Sequence, residues 1–325
     1  MNRGKVVIVG AGSVGTSIAY SMVNQCVCDT IAIIDINKDK AYAESLDMMH
    51  AIEFMNTKTL VKAGDYNECS DADIVIISAS LPMPRDSRDR MKFLESNVNI
   101  IKSVVNSVMA SGFNGIFLVV SNPVDVMSYY VRKLSGFPRE RVIGSGTTLD
   151  TARLHYYIAK TINVDPRSID AFIIGEHGDT EMVAWSTASI GGKDIKSVFL
   201  DNKDRIVAEP YKNFLKLTSY GGWDIFSKKG NTSYGIASSV TGIVKSIMFD
   251  ENRIYPVSVY LNGEYGMNDV FVSVPTIINR SGAKEIVELR LTDEEYNEFK
   301  KSCEALRSKY QILKDWWLKY AFNIL

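Results

Sequence analysis

Three histidines occur in the 325-residue sequence, and His177 is the one best placed to carry a proton. Imidazole is the side chain whose ordinary pKa lets it both give and take a proton near neutral pH. His177 follows the apolar run Ile173-Ile174 and lies between Gly175 and Gly178. Its ring can therefore stand at the open end of a strand, where glycine backbone passes close to a ligand. The competing interpretation is a turn histidine without a chemical role.

Two charged residues three positions apart, Asp150 and Arg153, lie where the pattern begins to predict a helix over 151–162. In the first turn of a helix, side chains at this spacing project on neighbouring faces. Asn122 follows a predicted strand over 117–120, where its amide can orient a substrate or cofactor through a hydrogen bond. Pro123 fixes the chain beyond it.

A glycine-rich turn, Gly10-Ala11-Gly12-Ser13-Val14-Gly15, lies between a β-branched strand pattern over 5–9 and a helical pattern over 16–23. In this arrangement the first glycine makes the tight turn, the second lets backbone approach a pyrophosphate, and the third allows the helix to pack on the sheet. The start of the helix then offers unpaired N–H groups and a favourable dipole to the phosphates.

Asp35 stands twenty residues beyond Gly15, at the end of a second strand pattern over 31–34. Its carboxylate can accept hydrogen bonds from ribose hydroxyls and would repel a 2′-phosphate. We therefore predict NAD rather than NADP as the cofactor. The alternative is a glycine turn and a strand-end aspartate that bind no nucleotide.

A polar segment over 78–90 follows the third predicted strand, 74–77, and contains two prolines and three arginines. Open α/β proteins place ligand contacts at the carboxyl ends of parallel strands, so this segment can act as a lid over a site. It leads into a helix predicted over 91–110. For any single arginine of the segment, a solvated surface position is the alternative.

Composition narrows the class of protein. A chain of 325 residues can bury a large core and suggests two domains. The near balance of 37 basic and 38 acidic residues disfavours nucleic acid or an acidic membrane surface as a partner. The four cysteines form no cluster at zinc-ligand spacing, and no stretch is long and apolar enough to span a bilayer. We expect a cytoplasmic protein with free thiols and no metal.

Several segments of the chain match one family pattern: the glycine turn, Asp35, Arg90, Ser121-Asn122-Pro123-Val124-Asp125, Leu149-Asp150-Thr151-Ala152-Arg153, Gly175-Glu176-His177-Gly178-Asp179 and Gly263-Glu264-Tyr265-Gly266. Together they resemble the lactate/malate dehydrogenase family of NAD-dependent L-2-hydroxy acid dehydrogenases, over nearly the whole sequence. The resemblance implies an α/β fold with a Rossmann doubly wound parallel sheet, in an NAD-binding domain over 1–145. A mixed α+β substrate domain over 146–325 is expected to follow. The family also favours a homodimer or homotetramer.

The resemblance also implies roles for individual residues. His177 would protonate the carbonyl oxygen of a 2-oxo acid, and Asp150 would hold its tautomer and stabilise the imidazolium. Arg153 would bind the substrate carboxylate, Arg90 would polarise the carbonyl, and Asn122 would hydrogen-bond the substrate. Thr232 matches a wall of the substrate pocket. The implied cofactor-binding residues are Gly10, Gly12, Ser13, Val14, Gly15, Asp35, Ala79 and Asn122.

The polar segment departs from the family pattern. In the family pattern, one position of this segment carries Gln in lactate enzymes and Arg in malate enzymes. Counted forward from Ile77, that position falls on Met83. Counted backward from Arg90, it falls on Pro84. If Met83 lines the pocket, a second substrate carboxylate loses several kcal/mol by desolvation without a partner. Extra substrate methylenes change binding by only roughly 1–3 kcal/mol each. We therefore predict a monocarboxylic 2-oxo acid, pyruvate or a larger apolar homologue, unless Arg85 takes the discriminating position and makes the chain a malate dehydrogenase.

Regulation is expected to differ from that of the bacterial lactate enzymes that respond to fructose 1,6-bisphosphate. Those enzymes resemble one another in having an Arg at one position and a His at another. In this chain the two positions are occupied by His155 and Asp170. A carboxylate at Asp170 would repel a phosphate, so we predict no activation by this effector. A clear fall in substrate KM on adding it would contradict the prediction.

Two other functions compete with this one. A glycosidase of the NAD- and metal-dependent type would need a Cys/His metal pair, and no cysteine lies near His177 in sequence. A non-catalytic NAD-binding protein on the same scaffold would have lost a catalytic residue, whereas Arg90, Asp150, Arg153 and His177 are all present. Only the altered polar segment favours this second alternative.

The remaining patterns concern architecture. Alternation over 257–261 and 270–274 predicts an antiparallel hairpin of the second domain. Thr292-Asp293-Glu294-Glu295 predicts a capping box that opens a final helix. An aromatic tail over 315–322 either covers a subunit interface or caps the core. The same two alternatives, subunit contact and core face, stay open for the apolar surface of a helix predicted over 39–54.

Overall fold

A computed structural model of the chain describes residues 4–81, 90–206 and 210–321. In chain order its strands are β1 (Lys5–Val9), β2 (Thr30–Ile34), β3 (Leu60–Ala63), β4 (Ile74–Ile77), β5 (Ile116–Val119), β6 (Val142–Gly144), β7 (Ile169–Asp170), β8 (Ile173–Ile174), β9 (Met182–Val183), β10 (Ser189–Ile190), β11 (Lys193–Asp194), β12 (Arg253–Asn262), β13 (Asn268–Asn279) and β14 (Gly282–Ile286). Its α-helices are α1 (Ser13–Asn24), α2 (Lys38–Ala51), α3 (Arg90–Ala110), α4 (Val124–Ser135), α5 (Thr148–Ile162), α6 (Ile195–Asp201), α7 (Pro210–Lys229), α8 (Tyr234–Met248) and α9 (Asp293–Ala321).

The first half folds around a parallel sheet whose strands β1, β2 and β4 are rich in buried valine and isoleucine. Such unbroken apolar runs are typical of parallel strands that are covered on both faces. The strand order is β3-β2-β1-β4-β5-β6, and β1 pairs in parallel with both β2 and β4. The order therefore reverses between β1 and β4, which is the point where doubly wound sheets bind ligands. The predicted Rossmann-type sheet is confirmed.

The prediction missed several short strands, among them β3. The β3 strand is short and carries Lys62, so its mixed sequence did not resemble a buried strand. The predicted hairpin is confirmed as β12 and β13, with Val257 paired to Val274. However, β12 also pairs with β6 through Ser258 and Gly144, so the hairpin extends the sheet of the first half.

The second half adds a smaller core of its own. Helices α5, α6 and α7 contribute Leu154, Ile158, Phe199 and Phe214 to a separate cluster of buried side chains. Beside it, β8 pairs with β9, and Gly175 bridges to Ser273 of β13. The segment that carries His177 is therefore fixed to both the small core and the large sheet.

The final helix α9 begins with the predicted capping box. The amide of Glu295 donates to Thr292 Oγ1 at 3.3 Å, and the amide of Thr292 donates to a Glu295 carboxylate oxygen at 3.0 Å. The helix extends to Ala321. The side chains of the aromatic tail and residue Phe322 lie outside the described residues. Within the described part, no helix combines the length and apolar character needed to cross a membrane.

Candidate active site

The imidazole of His177 is directly paired with the carboxylate of Asp150. His177 stands just beyond β8, and its Nδ1 lies 2.6 Å from Asp150 Oδ2. The other oxygen of Asp150, Oδ1, accepts a hydrogen bond from Arg153 Nη1 at 2.7 Å. Asp150 is 3% exposed at its side chain, against 28% for His177 and 17% for Arg153. The carboxylate is thus buried behind two cationic groups that still reach solvent.

The charges of this group change one another's pKa. The negative charge of Asp150 raises the pKa of His177 to about 9, although burial opposes this. Burial disfavours the charged form of Asp150, but the positive charges of His177 and Arg153 outweigh it and lower the pKa of that carboxyl. Near neutral pH the pair is therefore an imidazolium beside a carboxylate, which is the state that can donate a proton.

A second buried aspartate, Asp125, fixes the backbone of His177. Its Oδ2 accepts a hydrogen bond from the His177 amide at 2.9 Å, and its Oδ1 accepts one from Ser258 Oγ at 2.6 Å. Burial raises the pKa of Asp125 to about 6. Asp125 lies on α4 and Ser258 on β12. No positioning role was predicted for either residue; the only signal was the strand-end motif that contains Asp125.

A third carboxyl, Glu181, lies beside the pair and was not predicted. The ligand atoms of Asp150, His177 and Glu181 all lie within 4.8 Å of one another. Ser219 Oγ on α7 donates a hydrogen bond to Glu181 Oε1 at 2.6 Å. Both oxygens of Asp150 already have partners, one in His177 and the other in Arg153. The four-residue spacing from His177 to Glu181 was the only sequence signal.

Helix α7 also leaves room for the guanidinium of Arg153. A Cβ atom at Gly222 would lie 3.3 Å from that guanidinium, closer than most side chains tolerate. Thr232 lies in the connection between α7 and α8. The predicted substrate-binding residues Arg153 and Thr232 are therefore carried by the second half of the chain.

Asn122, at the end of β5, is joined to the start of the polar segment through Asn97. The side chain of Asn97 is buried on α3 and accepts a hydrogen bond from the Leu81 amide at 3.0 Å. Its Nδ2 donates to the backbone carbonyl of Asn122 at 3.3 Å. Asn97 was not predicted. Met83, Arg85 and the side chain of Arg90 lie outside the described residues, although the backbone of Arg90 begins α3.

The glycine turn has the space and the polar groups that a dinucleotide needs. A Cβ at Gly15 would lie 1.9 Å from the carbonyl oxygen of Gly10, so only glycine allows α1 to pack this close to the turn. A Cβ at Gly12 would meet nothing within 4 Å, so this side of the turn is open. Gly12 caps α1 without a side-chain hydrogen bond, which leaves the N–H groups of Ser13 and Val14 at a helix start available for phosphate.

The acidic group expected for a ribose lies beside the same turn. Asp35 Oδ2 accepts a hydrogen bond from the Ala11 amide at 2.7 Å. Ala79 adjoins the turn from β4, since a Cβ at Gly10 would lie 2.8 Å from its amide nitrogen. Ser121 Oγ also donates to the Ala79 carbonyl at 2.7 Å. These residues fit NAD, with an open turn for the pyrophosphate and a carboxylate for the ribose.

Comparison with known proteins gives a consistent result over both halves. Residues 4–144 match the NAD-binding domain of lactate/malate dehydrogenase, and residues 147–315 match the α/β C-terminal domain of the same family. L-lactate dehydrogenase 3 of Bacillus cereus is 48% identical over 303 residues, which are 93% of this chain and 96% of the relative. L-lactate dehydrogenase 1 of Bifidobacterium longum is 46% identical over 307 residues, 94% of this chain and 97% of the relative.

Solved structures agree with these relatives. The crystal structure of a minor L-lactate dehydrogenase from Enterococcus mundtii superposes with a TM-score of 0.91 at 42% identity, covering 95% of this chain and 98% of that one. The predicted family, fold class, NAD cofactor and NAD-dependent oxidoreductase activity of the L-lactate dehydrogenase type are thereby confirmed. The chain belongs to the lactate/malate dehydrogenase family.

Proposed function

We propose that this protein reversibly reduces a monocarboxylic 2-oxo acid, pyruvate or a larger apolar homologue, to the L-2-hydroxy acid with NADH. The observation that carries the proposal is the buried ion pair of His177 and Asp150, which stands next to a cationic group, Arg153. Bound NADH supplies the hydride. The residues of the chain supply the proton and the positive charge that binds the substrate carboxylate, and they hold the substrate in the orientation that the reaction needs.

The proton moves at Nε2 of His177, because Nδ1 is occupied by Asp150. In the reducing direction the imidazolium donates this proton to the carbonyl oxygen of the substrate. Asp150 holds the ring in one orientation and stabilises its positive charge. In the oxidising direction the neutral ring takes the proton from the alcohol. Asp125 supports both directions by fixing the backbone of His177.

Arg153 binds the substrate carboxylate through its planar guanidinium, which can make two parallel hydrogen bonds. Its present bond to Asp150 uses one nitrogen, Nη1. The family resemblance assigns carbonyl polarisation to Arg90, a hydrogen bond to Asn122 and a pocket wall to Thr232. These three roles stay proposals on that resemblance.

The choice of a monocarboxylate rests on Met83 and on the relatives. An apolar Met83 in the pocket would leave a second substrate carboxylate without a partner. The relatives at 46–48% identity carry the name L-lactate dehydrogenase. The alternatives are a malate dehydrogenase that uses Arg85, or a non-catalytic NAD-binding protein on the same scaffold.

The test is the oxidation of NADH at 340 nm with pyruvate, 2-oxobutyrate, 2-oxoisocaproate, phenylpyruvate and oxaloacetate, for the parent protein, Met83→Arg and Arg85→Ala. We expect the parent to prefer one of the monocarboxylates in kcat/KM. Met83→Arg should raise kcat/KM for oxaloacetate, because it supplies a partner for the second carboxylate. An Arg85→Ala protein that loses only oxaloacetate activity would contradict the proposal. A parent without turnover of any substrate would favour the non-catalytic alternative.

The protein is also proposed to form a homodimer or homotetramer. A groove of about 480 Å³ lies between α1, α2 and α8, and two of the residues that line it, Tyr20 and Tyr234, are exposed. Burial of these two tyrosines against a second copy would stabilise an oligomer.

Sedimentation velocity tests the oligomer. We expect the parent to sediment as a dimer or tetramer, Tyr20→Glu to shift the distribution toward the monomer, and Leu200→Glu, exposed on α6, to leave it unchanged. A monomeric parent at micromolar concentration would refute the proposal.

Three further expectations are also proposals. A boundary between the NAD-binding domain and the substrate domain near residues 145 and 146 is supported by the end of β6 at Gly144. A cytoplasmic location is supported by the four free cysteines. The absence of activation by fructose 1,6-bisphosphate stays a prediction; Asp170 is exposed, and His155 Nε2 lies 2.8 Å from the Ala171 carbonyl.

A further inference from the structure

The residue directly before the proton carrier, Glu176, is a buried carboxylate that the proposed mechanism does not use. Glu176 is 4% exposed. Its Oε1 forms an ion pair with Nζ of Lys309 on helix α9, and its Oε2 accepts a hydrogen bond from Thr180 Oγ1 at 2.6 Å. Among the described residues, no second cation pairs with this carboxylate. A buried charge needs such a partner, so Glu176 depends on α9 for its counter-ion.

The backbone of Glu176 is held by the same helix. Its amide donates a hydrogen bond to Ser302 Oγ at 2.7 Å, and Ser302 is fully buried. The single proton of the Thr180 hydroxyl goes to the carboxylate of Glu176, so Thr180 can only accept from Ser302 Oγ, which lies 2.9 Å away. The hydrogen bonds therefore run in a closed ring, from the amide of Glu176 through two hydroxyls to its own carboxylate.

One face of α9 supplies both contacts. Ser302 and Lys309 are seven residues apart, which is about two turns of helix, so their side chains project on the same side. Gly175 allows this face to come close to the chain, because a Cβ there would lie 2.8 Å from Ser302 Oγ. The helix thus packs directly against the backbone of the segment that carries His177.

Helix α9 is itself anchored next to Lys309. The ring of Tyr310 stacks on that of Tyr129 of helix α4, with the ring centroids 4.0 Å apart. Helix α4 also carries Asp125, whose carboxylate accepts a hydrogen bond from the His177 amide at 2.9 Å. The consecutive amides of Glu176 and His177 are therefore fixed by two helices that pack against each other.

The direction of the His177 ring and the position of its backbone are controlled separately. Asp150 fixes the ring through Nδ1, but this bond does not hold the chain from which the ring projects. Loss of the charge of Lys309 would leave the carboxylate of Glu176 buried with only a neutral donor. A shift of Glu176 toward water would relieve that cost, and it would carry the adjoining backbone of His177 with it.

We propose that Lys309 and Ser302 are positioning residues, which act through Glu176 to hold His177 where its proton can reach the substrate carbonyl. The inference rests on the proposed function and extends it to helix α9. The substrate carboxylate is bound by Arg153 on α5, which α9 does not hold through any of these bonds. Loss of the contact should therefore lower kcat and leave KM for pyruvate nearly unchanged.

The first test compares the kinetics of pyruvate reduction for the parent, Lys309→Met, Lys309→Arg and Lys301→Met. The value of kcat is taken per NADH-binding site, counted by fluorescence titration, so that unfolded molecules do not contribute. Lys309→Met should lower kcat roughly 10–100-fold and change KM by less than about twofold. Lys309→Arg should restore most of the rate, because it restores the charge. Lys301→Met, exposed on the same helix, is the matched control and should equal the parent.

A double-mutant cycle separates positioning by the ion pair from a loss of packing around α9. Glu176→Gln removes the buried charge and keeps an oxygen that can accept from Thr180. The variant with both Glu176→Gln and Lys309→Met should therefore have a higher kcat than Lys309→Met alone, because no unpaired charge remains. Independent losses of packing would instead multiply, and the double variant would be the slowest. That result would overturn the inference.

Ser302→Ala tests the backbone contact without changing any charge. It leaves the Glu176 amide without its acceptor, so kcat should fall while KM stays nearly unchanged. This variant also decides the matter if Lys309→Met does not fold and binds no NADH. A lowered kcat at unchanged KM then supports the inference, and the kcat of the parent overturns it.

The failure of the inference and that of the proposed function give different results. If the parent reduces pyruvate and Lys309→Met and Ser302→Ala both keep its kcat, the inference is overturned and the proposed function stands. If the parent with NADH reduces none of the 2-oxo acids, the proposed function fails and the inference fails with it.

Discussion

At the scale of single residues, the site depends on the two partners of Asp150. One carboxylate orients the imidazole of His177 and also holds the guanidinium of Arg153. The raised pKa of His177 means that the folded state binds its proton more tightly than the unfolded chain does. This proton stabilises the fold fully below the ordinary histidine pKa of about 6.5. The contribution is lost as the pH rises through about 9.

The sequence could predict these three residues but not the residues that support them. His177, Asp150 and Arg153 lie in short motifs whose spacing is visible along the chain. Asp125 was visible only as part of a motif. Apart from its spacing to His177, Glu181 carried no signal, and Ser219 reaches Glu181 only because α7 packs on α5, which no local pattern indicates.

At the scale of elements, two glycines of the glycine turn are expected to be needed for different reasons. Gly15 is required by packing, because its Cα lies against the carbonyl of Gly10. Gly12 faces open space, so packing within the chain does not require glycine there. A requirement for glycine at this position would come from the cofactor.

Alanine at these two glycines should therefore have different effects. Gly15→Ala is expected to lower the free energy of unfolding by about 1–3 kcal/mol or more, because the new methyl group overlaps backbone. Gly12→Ala should leave the melting temperature nearly unchanged but weaken NADH binding. Thermal unfolding and fluorescence titration with NADH measure the two quantities. Equal losses of stability in both variants would contradict this assignment.

The elements themselves were predictable to different degrees. Runs of β-branched residues revealed β1, β2, β4 and β5, and the reciprocal cap revealed the start of α9. The β3 strand was missed because Lys62 interrupts its apolar character. The antiparallel hairpin was found, but its pairing with β6 was not, because strand partners distant in sequence leave no local pattern.

At the scale of the whole molecule, the site forms where the two halves of the chain meet. The His177 segment bridges to β13 through Gly175, while its backbone amide is held by Asp125 from the first half. Asp150 and Arg153 come from α5, which packs in the second core. On the proposed function, one continuous sheet would position both a dinucleotide at the glycine turn and a substrate at His177. This arrangement explains why the proton carrier can face a cofactor bound by residues far away in sequence.

The most direct test of the account is the pH dependence of kcat for pyruvate reduction, at saturating substrate and NADH, for the parent, Asp150→Asn and Asp165→Asn. The parent should lose activity as the pH rises through about 9, because the neutral imidazole cannot donate a proton. Asp150→Asn should be slower by roughly 10²–10⁴-fold, with its loss of activity moved toward the ordinary histidine pKa. Asp165→Asn, which removes a surface pair with Arg167, should match the parent. An Asp150→Asn protein that keeps the rate and the pH profile of the parent would contradict the central role of this pair.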